Sequence, residues 1–536
     1  MILPYRGAVV DTDRRKELRS QLKPSIVTQR INELLQRDEM RLAHLFTDTD
    51  VHLLCERLEI DFRERDFTPA VTLGLFVQQV LSRADACSTM LAKFNRERKQ
   101  QGLRPVCEDA SAYCKARSRL PIELIHALND RILKIINDRC PNDFRWKQRD
   151  VFFVDGFVLL APDTLANQEV YPQPSSQKEG LGFPQVRVVV ITSLTSGCIT
   201  QYKTAQVIGK ETGENSLFRE IQRDFEAGAI VVGDSNFDSF HDSALLRAQG
   251  VDVVFGINGT RNSPFEGVCE TIDDTTKTIP KPKFNPSRFT YERWETLPES
   301  IEYRIIRYRV SGRKDEITIV TTLLENSSYS ATEIAELYGL RWDVEIDIGC
   351  FKTTMGQCRL RCHTPENLER EIAVSVLGYN LVRVLMNDAA RVIGLHPREL
   401  SFSHARDAWL NFSDETETAQ DMMWIVLSAA SQFVRDRPGR QEPRAVKARR
   451  AKYARLTEHS VPAVPSDLPM RGNRPKTPAD PHKSTLFDLM LAETNCRSKM
   501  EHTALDSQTA KTHETAICRT AQPEPQASLG SCCVAQ

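Results

Sequence analysis

Three acids stand out by their surroundings in the sequence. Asp155 closes the apolar run VFFV, Asp234 closes AIVVG, and Glu345 lies in a long amphipathic segment. Side chains at the carboxyl edge of neighbouring strands converge on a shared crevice. Two carboxylates held there repel one another unless they are protonated or bridged by cations. Magnesium favours such oxygen donors, taking one or two carboxylates together with substrate phosphate. On their own, an Asp before Gly and an Asp at a strand end are also ordinary turn residues.

The segment from Ala331 to Met355, ATEIAELYGLRWDVEIDIGCFKTTM, is expected to form one long helix. At about 100° per residue, Ile334, Leu337, Leu340, Val344, Ile348 and Phe351 make a single apolar stripe. Tyr338, Arg341, Glu345 and Lys352 fall within roughly 60° of one another along its edge. Asp343 and Asp347 point elsewhere, which makes Glu345 the expected third metal ligand. Arg341 and Lys352 are then placed to hold DNA phosphates, with Tyr338 beside them. Trp342 is either a packing residue or a platform for an unpaired base. The competing reading of the same pattern is a solvated helix face with an ordinary i, i+4 Arg–Glu pair.

The elements that must carry these residues are legible in outline. Residues 1–145 have apolar positions at three- and four-residue intervals and read as a helical N-terminal domain. The basic stretch KFNRERKQQGLR (93–104) adds a possible DNA-binding role there. From about 146 to 400 the texture is three strands, then helix, strand, helix and strand: an α/β layer with a mixed sheet. Residues 260–320 alternate at period two and read as a β-rich insertion. Helices are expected at 331–355 and 367–393, with weaker C-terminal helices over 401–435. Residues 436–536 are poor in large apolar side chains, so a basic and largely disordered tail is expected. Between Arg435 and Arg455 there are nine Lys or Arg against two acids.

At this point the chain resembles a known family. Tyr338-x2-Arg341-x3-Glu345-x6-Lys352 is similar at every position to the signature of bacterial DDE transposases of the insertion sequence four type. The stretch from Asp155 through Pro162-Asp163-Thr164, Asn167 and the run from Gln177 to Pro184 resembles that family's first catalytic block. GDSNF around Asp234 and LRCHTPENLEREIAVSVLGYNLVRVLM after the signature resemble two further blocks. The resemblance implies a ribonuclease-H-like catalytic domain with a β-rich insertion between Asp234 and Glu345. It implies a pair of magnesium ions, replaceable by manganese, held by Asp155, Asp234 and Glu345. It also implies cut-and-paste chemistry on DNA, with transposon terminal inverted repeats and target DNA as partners and a homodimer in the paired-end complex. The chain departs from the family at Phe157, where Ser or Thr is common, and at Ser235, where Arg is common. A structure-specific nuclease and a non-catalytic end-binding protein are the rival readings.

Other chemistries find no support in the sequence. The formal net charge is −1, so DNA binding has to come from local basic patches. The 14 cysteines form no CxxC pair, and Cys358, Cys362 and His363 match no familiar zinc spacing. There is no P-loop and no HExxH. No apolar run approaches the roughly 20 residues needed to cross a bilayer, and the N-terminus does not read as a signal peptide. A cytoplasmic protein is expected.

Overall fold

The computed structural model describes residues 48–412 apart from 84–85, 179, 223–224, 258–268, 284–293 and 311–315, together with the isolated positions 29, 33, 428 and 429. The expected tail over 436–536 and most of the expected C-terminal helices lie outside the described residues.

Eight strands form one mixed sheet: β1 (Val151–Leu160), β2 (Gln185–Ser193), β3 (Ile199–Gln206), β4 (Ile230–Gly233), β5 (Asp252–Gly256), β6 (Cys269–Pro280), β7 (Ser300–Val310) and β8 (Glu316–Thr321). Their order is β3-β2-β1-β4-β5-β8-β7-β6. β1, β4 and β5 are parallel, and all the other pairings are antiparallel. This is a ribonuclease-H-like arrangement. The strands expected as a β-rich insertion prolong the same sheet, because β8 pairs with β5.

β4 and β5 are buried along their whole length, as central parallel strands covered on both faces must be. On one face Val154, Val231, Val253 and Phe255 pack with Leu217 and Phe218 of helix α7 (Glu214–Ile221) and with Ala244 and Leu246 of α8 (Phe240–Ala248). The other face carries α9 (Ala331–Gly339), α10 (Trp342–Gly349) and α11 (Pro365–Ile393). α11 is buried nearly all round, since the N-terminal helices pack on it as well. Of α1 (Asp48–Arg57), α2 (Pro69–Ser82), α3 (Cys87–Gln100), α4 (Ala110–Arg119) and α5 (Ile122–Arg139), it is α2, α4 and α5 that pack on α11, while α1 packs on α2 and α5 and α3 packs on α2 and α4. Asn380 of α11 ties the layers together. Its amide Nδ2 donates to Asn129 Oδ1 on α5 and to Ile199 O on β3, both at 2.8 Å, and its Oδ1 accepts from Ile199 N. The short α6 (Leu165–Val170) lies between β1 and β2, and α12 (Phe402–Phe412) follows α11.

Two local expectations are corrected. β1 does not end at Asp155: Gly156 pairs with Val189, and the ladder to β2 runs on to Leu160. The residues after Gly156 continue the apolar alternation, and only the parallel partner β4 stops at Gly233. The expected helix over 331–355 is α9, α10 and a π-helical turn at Cys350–Thr354. The joint at Leu340 and Arg341 stays right-handed but tightens to i→i−3 bonds, Arg341 N to Tyr338 O and Val344 N to Arg341 O, both 3.1 Å. Gly339 and Gly349, weak helix formers, stand next to the two breaks.

Candidate active site

The parallel ladder between β1 and β4 pairs Phe153 with Val232. Asp155 and Asp234 each lie two residues beyond that pair, so they occupy matching positions where the ladder ends. β1 continues past this point with β2 still paired to it, and the chain after β4 turns away. The turn is held by Asp234 itself, whose Oδ1 accepts from Asn236 N at 2.9 Å. Asp155 Oδ1 accepts from Gly156 N at 2.7 Å.

Side chains on β1 alternate between the two faces. Phe157 shares the Asp155 face and packs against Phe351 of the π turn, ring centroids 5.8 Å apart. Above it stands Lys352, with Nζ 5.4 Å from the Phe157 ring. Phe157 is 7% exposed. The residue that departs from the family pattern is therefore part of the packing that seats the signature helix, and the carboxylates beside it are intact.

Glu345 enters from α10 on this face and keeps 43% of its side chain exposed. Arg341 Nη2 is 3.7 Å from Glu345 Oε1. The Arg341 guanidinium lies 5.9 Å from the Tyr338 ring and 5.6 Å from that of Trp342. Tyr338 is buried, with its hydroxyl over Gly256 at the end of β5; a Cβ there would lie 2.2 Å from the Tyr338 oxygen. The hydroxyl also accepts from Arg341. Trp342 is half-buried, and its indole N–H has no acceptor among the described residues.

The electrostatics of the crevice are those of acids short of counter-charge. Burial, opposed by the Gly156 N–H and reinforced by Asp234, pushes Asp155 up to about 6. Burial of its carboxyl end, opposed by Arg341 and reinforced by Asp155 and Asp234, pushes Glu345 up to about 7. Oxygen donors whose charged forms are disfavoured in this way suit a hard divalent cation. Among the described residues, no group of three or more His, Cys, Asp or Glu could hold one ion by itself. A cation here would share the carboxylates in smaller sets and complete its shell with water or phosphate, as magnesium commonly does.

A fourth acid was not anticipated. Glu214 opens α7 on the opposite face of β1, and its carboxyl group lies against Gly156. A Cβ added to Gly156 would fall 2.5 Å from Glu214 Cδ and 2.6 Å from its Oε1. The signal for it in the sequence is faint: a glycine inside an apolar strand and an acid just after Gly213 at a helix start.

The remaining motif residues support the frame. Asn167 is fully buried and donates to Pro162 O at 3.0 Å and Cys362 O at 3.3 Å. Thr164 caps α6 and donates to His363 O at 2.9 Å. The first block is thereby tied to the segment that follows the signature. Arg187 donates to Thr212 O at 3.1 Å, while Lys178 is exposed. Cys362 accepts from Arg117 at 3.2 Å.

Residues 146–381 match the family model described as a transposase DDE domain. The chain is also 25% identical over 299 residues to the transposase InsG of insertion sequence element IS4 from Escherichia coli strain K12. The alignment takes in 55% of this chain and 65% of that relative, a little under two thirds of its length. Over residues 146–381 the chain is thus similar to transposase DDE domains, and over 55% of its length to a transposase of an insertion sequence element.

Proposed function

We propose that the protein is a DNA transposase that cleaves transposon ends and joins them to target DNA, with Asp155, Asp234 and Glu345 as its reacting-centre carboxylates. The matching register of Asp155 and Asp234 at the end of the β1–β4 ladder, with Glu345 brought in by α10, is the observation that carries this reading. Magnesium or manganese held by these acids would supply Lewis-acid activation of a phosphodiester and of its attacking oxygen.

The chain's own side chains have separable tasks. The three carboxylates fix where the scissile phosphate sits. Arg341, pinned between Tyr338 and Trp342, balances the charge of Glu345 and offers its remaining N–H groups to phosphate. Tyr338 is too buried to reach far and holds Arg341 in place. Lys352, raised on the Phe157 ring, meets phosphate farther along the strand. Trp342 presents an indole face beside the crevice for an unpaired base. Concerted use of two ends requires two protomers, so a homodimer forms or tightens on end DNA.

The test begins with the DNA flanking the reading frame. Short inverted repeats found there are built into oligonucleotide duplexes and incubated with the full chain, magnesium and a supercoiled plasmid. Nicking at the repeat boundary followed by joining of the new 3′ end to the plasmid supports a transposase. Nicking without joining favours a nuclease of related fold, and binding without nicking favours a non-catalytic end binder.

A further inference from the structure

We infer that Arg83, at the end of α2, is a positioning residue for Lys352: it fixes the π-helical turn from which Lys352 meets the DNA backbone. This deepens the proposed reading and rests on its assignment of Lys352 to phosphate.

Arg83 ends α2 in the left-handed region, with φ 60° and ψ 23°. Glycine usually takes that place, because a Cβ is strained there. Another residue keeps such a backbone only where its surroundings hold it. Here the side chain supplies the hold. Arg83 Nε donates to Thr354 O at 2.6 Å and Nη2 donates to Thr353 O at 2.8 Å, acceptors 271 and 270 residues away in the sequence. Both carbonyls belong to the π-helical turn at Cys350–Thr354, where the helix ends and leaves backbone oxygens without helical partners. The stem of Arg83 lies beside Gly356, whose Cβ position is 3.5 Å from Arg83 Cγ.

Neighbouring contacts join the same two elements. Gln357 is fully buried, and its Nε2 donates to Val80 O of α2 at 3.2 Å and to Met355 O at 3.3 Å. From the other side Arg406 of α12 donates to Thr354 O. The turn is thus gripped by side chains from both ends of the described chain.

Lys352 is the residue just before the two carbonyls that Arg83 holds, and its Nζ stands 5.4 Å from the Phe157 ring. A π-helical turn is poorly bonded within itself and often marks a functional position, so donors from outside decide which way it faces. A guanidinium suits this task, since its N–H groups form a rigid fork. A residue that served only to cap α2 would need no such fork, because the Arg83 backbone N–H already closes the helix on Gln79 O.

The experiment is equilibrium binding of the full chain to a fluorescein-labelled duplex of the inverted repeat that flanks the reading frame, over a range of salt concentrations. Wild type is compared with Arg83→Gly, Lys352→Ala and the double variant. Glycine accepts the left-handed backbone, so Arg83→Gly is expected to unfold at nearly the wild-type denaturant concentration. Its salt slope is expected to fall by about one unit, as that of Lys352→Ala does. The double variant is expected to fall no further, because both changes remove the same contact. A wild-type slope in Arg83→Gly overturns the inference and leaves Arg83 a staple between helices. A double variant that falls by about two units overturns it as well, since Arg83 then meets phosphate itself. If Lys352→Ala keeps the wild-type slope, the reading of Lys352 fails and takes the inference with it. Should Arg83→Gly not fold, Arg83→Lys decides, because it keeps the charge and loses the fork: a slope lower by about one unit supports the inference, and a wild-type slope overturns it.

Discussion

Asp347 follows Glu345 by two positions on α10 and faces the opposite way, 1% exposed where Glu345 is 43% exposed. Asp347 pairs with Arg383 of α11 and accepts from Arg398 Nη1 at 3.0 Å. Arg398 in turn donates to Leu194 O at 2.7 Å and Ser193 O at 2.8 Å at the end of β2. One side of α10 is therefore bolted to helix and sheet, and the other side offers Glu345 to the crevice.

Breaking that anchor strands two buried guanidinium groups. Asp347→Ala is expected to cost about 3–5 kcal/mol, the usual range for removing one partner of a buried pair. Glu345→Gln, which touches only the crevice, should leave stability near wild type. Denaturant unfolding of the two variants checks the contrast.

The raised carboxyls set a pH dependence. Asp155, raised to about 6, and Glu345, raised to about 7, hold their protons more tightly folded than unfolded. Their contribution to stability is full below the unfolded carboxyl range and is lost as pH rises through about 6 and about 7. Without divalent cations, Asp155→Asn should gain melting temperature relative to wild type between about pH 5 and about pH 8. Added magnesium should narrow that gap at the higher pH by stabilising the ionised wild type. A gap that does not vary with pH would show that Asp155 titrates normally.

Tyr338, Arg341 and Lys352 should separate in DNA binding. Arg341→Ala and Lys352→Ala each remove a proposed phosphate partner and should flatten the salt dependence of binding by about one unit of slope. Tyr338→Phe keeps the buried ring and should leave the slope unchanged while slowing cleavage, because Arg341 loses the acceptor that orients it. Binding isotherms at several salt concentrations, with cleavage rates alongside, distinguish the three.

Phe157 tests whether its departure from the family pattern is structural. Phe157→Ser removes the ring that packs on Phe351 and underlies Lys352. A loss of about 3–5 kcal/mol is expected, as for emptying a buried aromatic site, with end cleavage retained at permissive temperature. Thermal melts and a low-temperature cleavage assay measure both.

The sequence was most informative where one rule governs. Apolar runs followed by acids marked β1 and β4, and helical periodicity marked the buried stripe that runs through α9 and α10 into the π-helical turn, with Ile334, Leu337, Val344 and Phe351 all buried. It was least informative where a side chain depends on a distant gap. Tyr338 owes its buried position to the bare backbone of Gly256, and Glu214 owes its place to that of Gly156. Neither relation leaves a periodic trace. The tightening at Leu340 and Arg341 was hidden as well, since both residues keep helical backbone angles. The joining of β8 to β5 depends on a pairing that alternation along one strand does not specify.

The most direct measurement is end cleavage by Asp155→Asn, Asp234→Asn and Glu345→Gln, each first shown to bind end DNA as wild type does. Loss of several kcal/mol of charge stabilisation corresponds to about a thousandfold drop in rate with magnesium, and all three variants should fall by that order. Cleavage near the wild-type rate by any one of them would contradict the assignment of these three acids to the reacting centre.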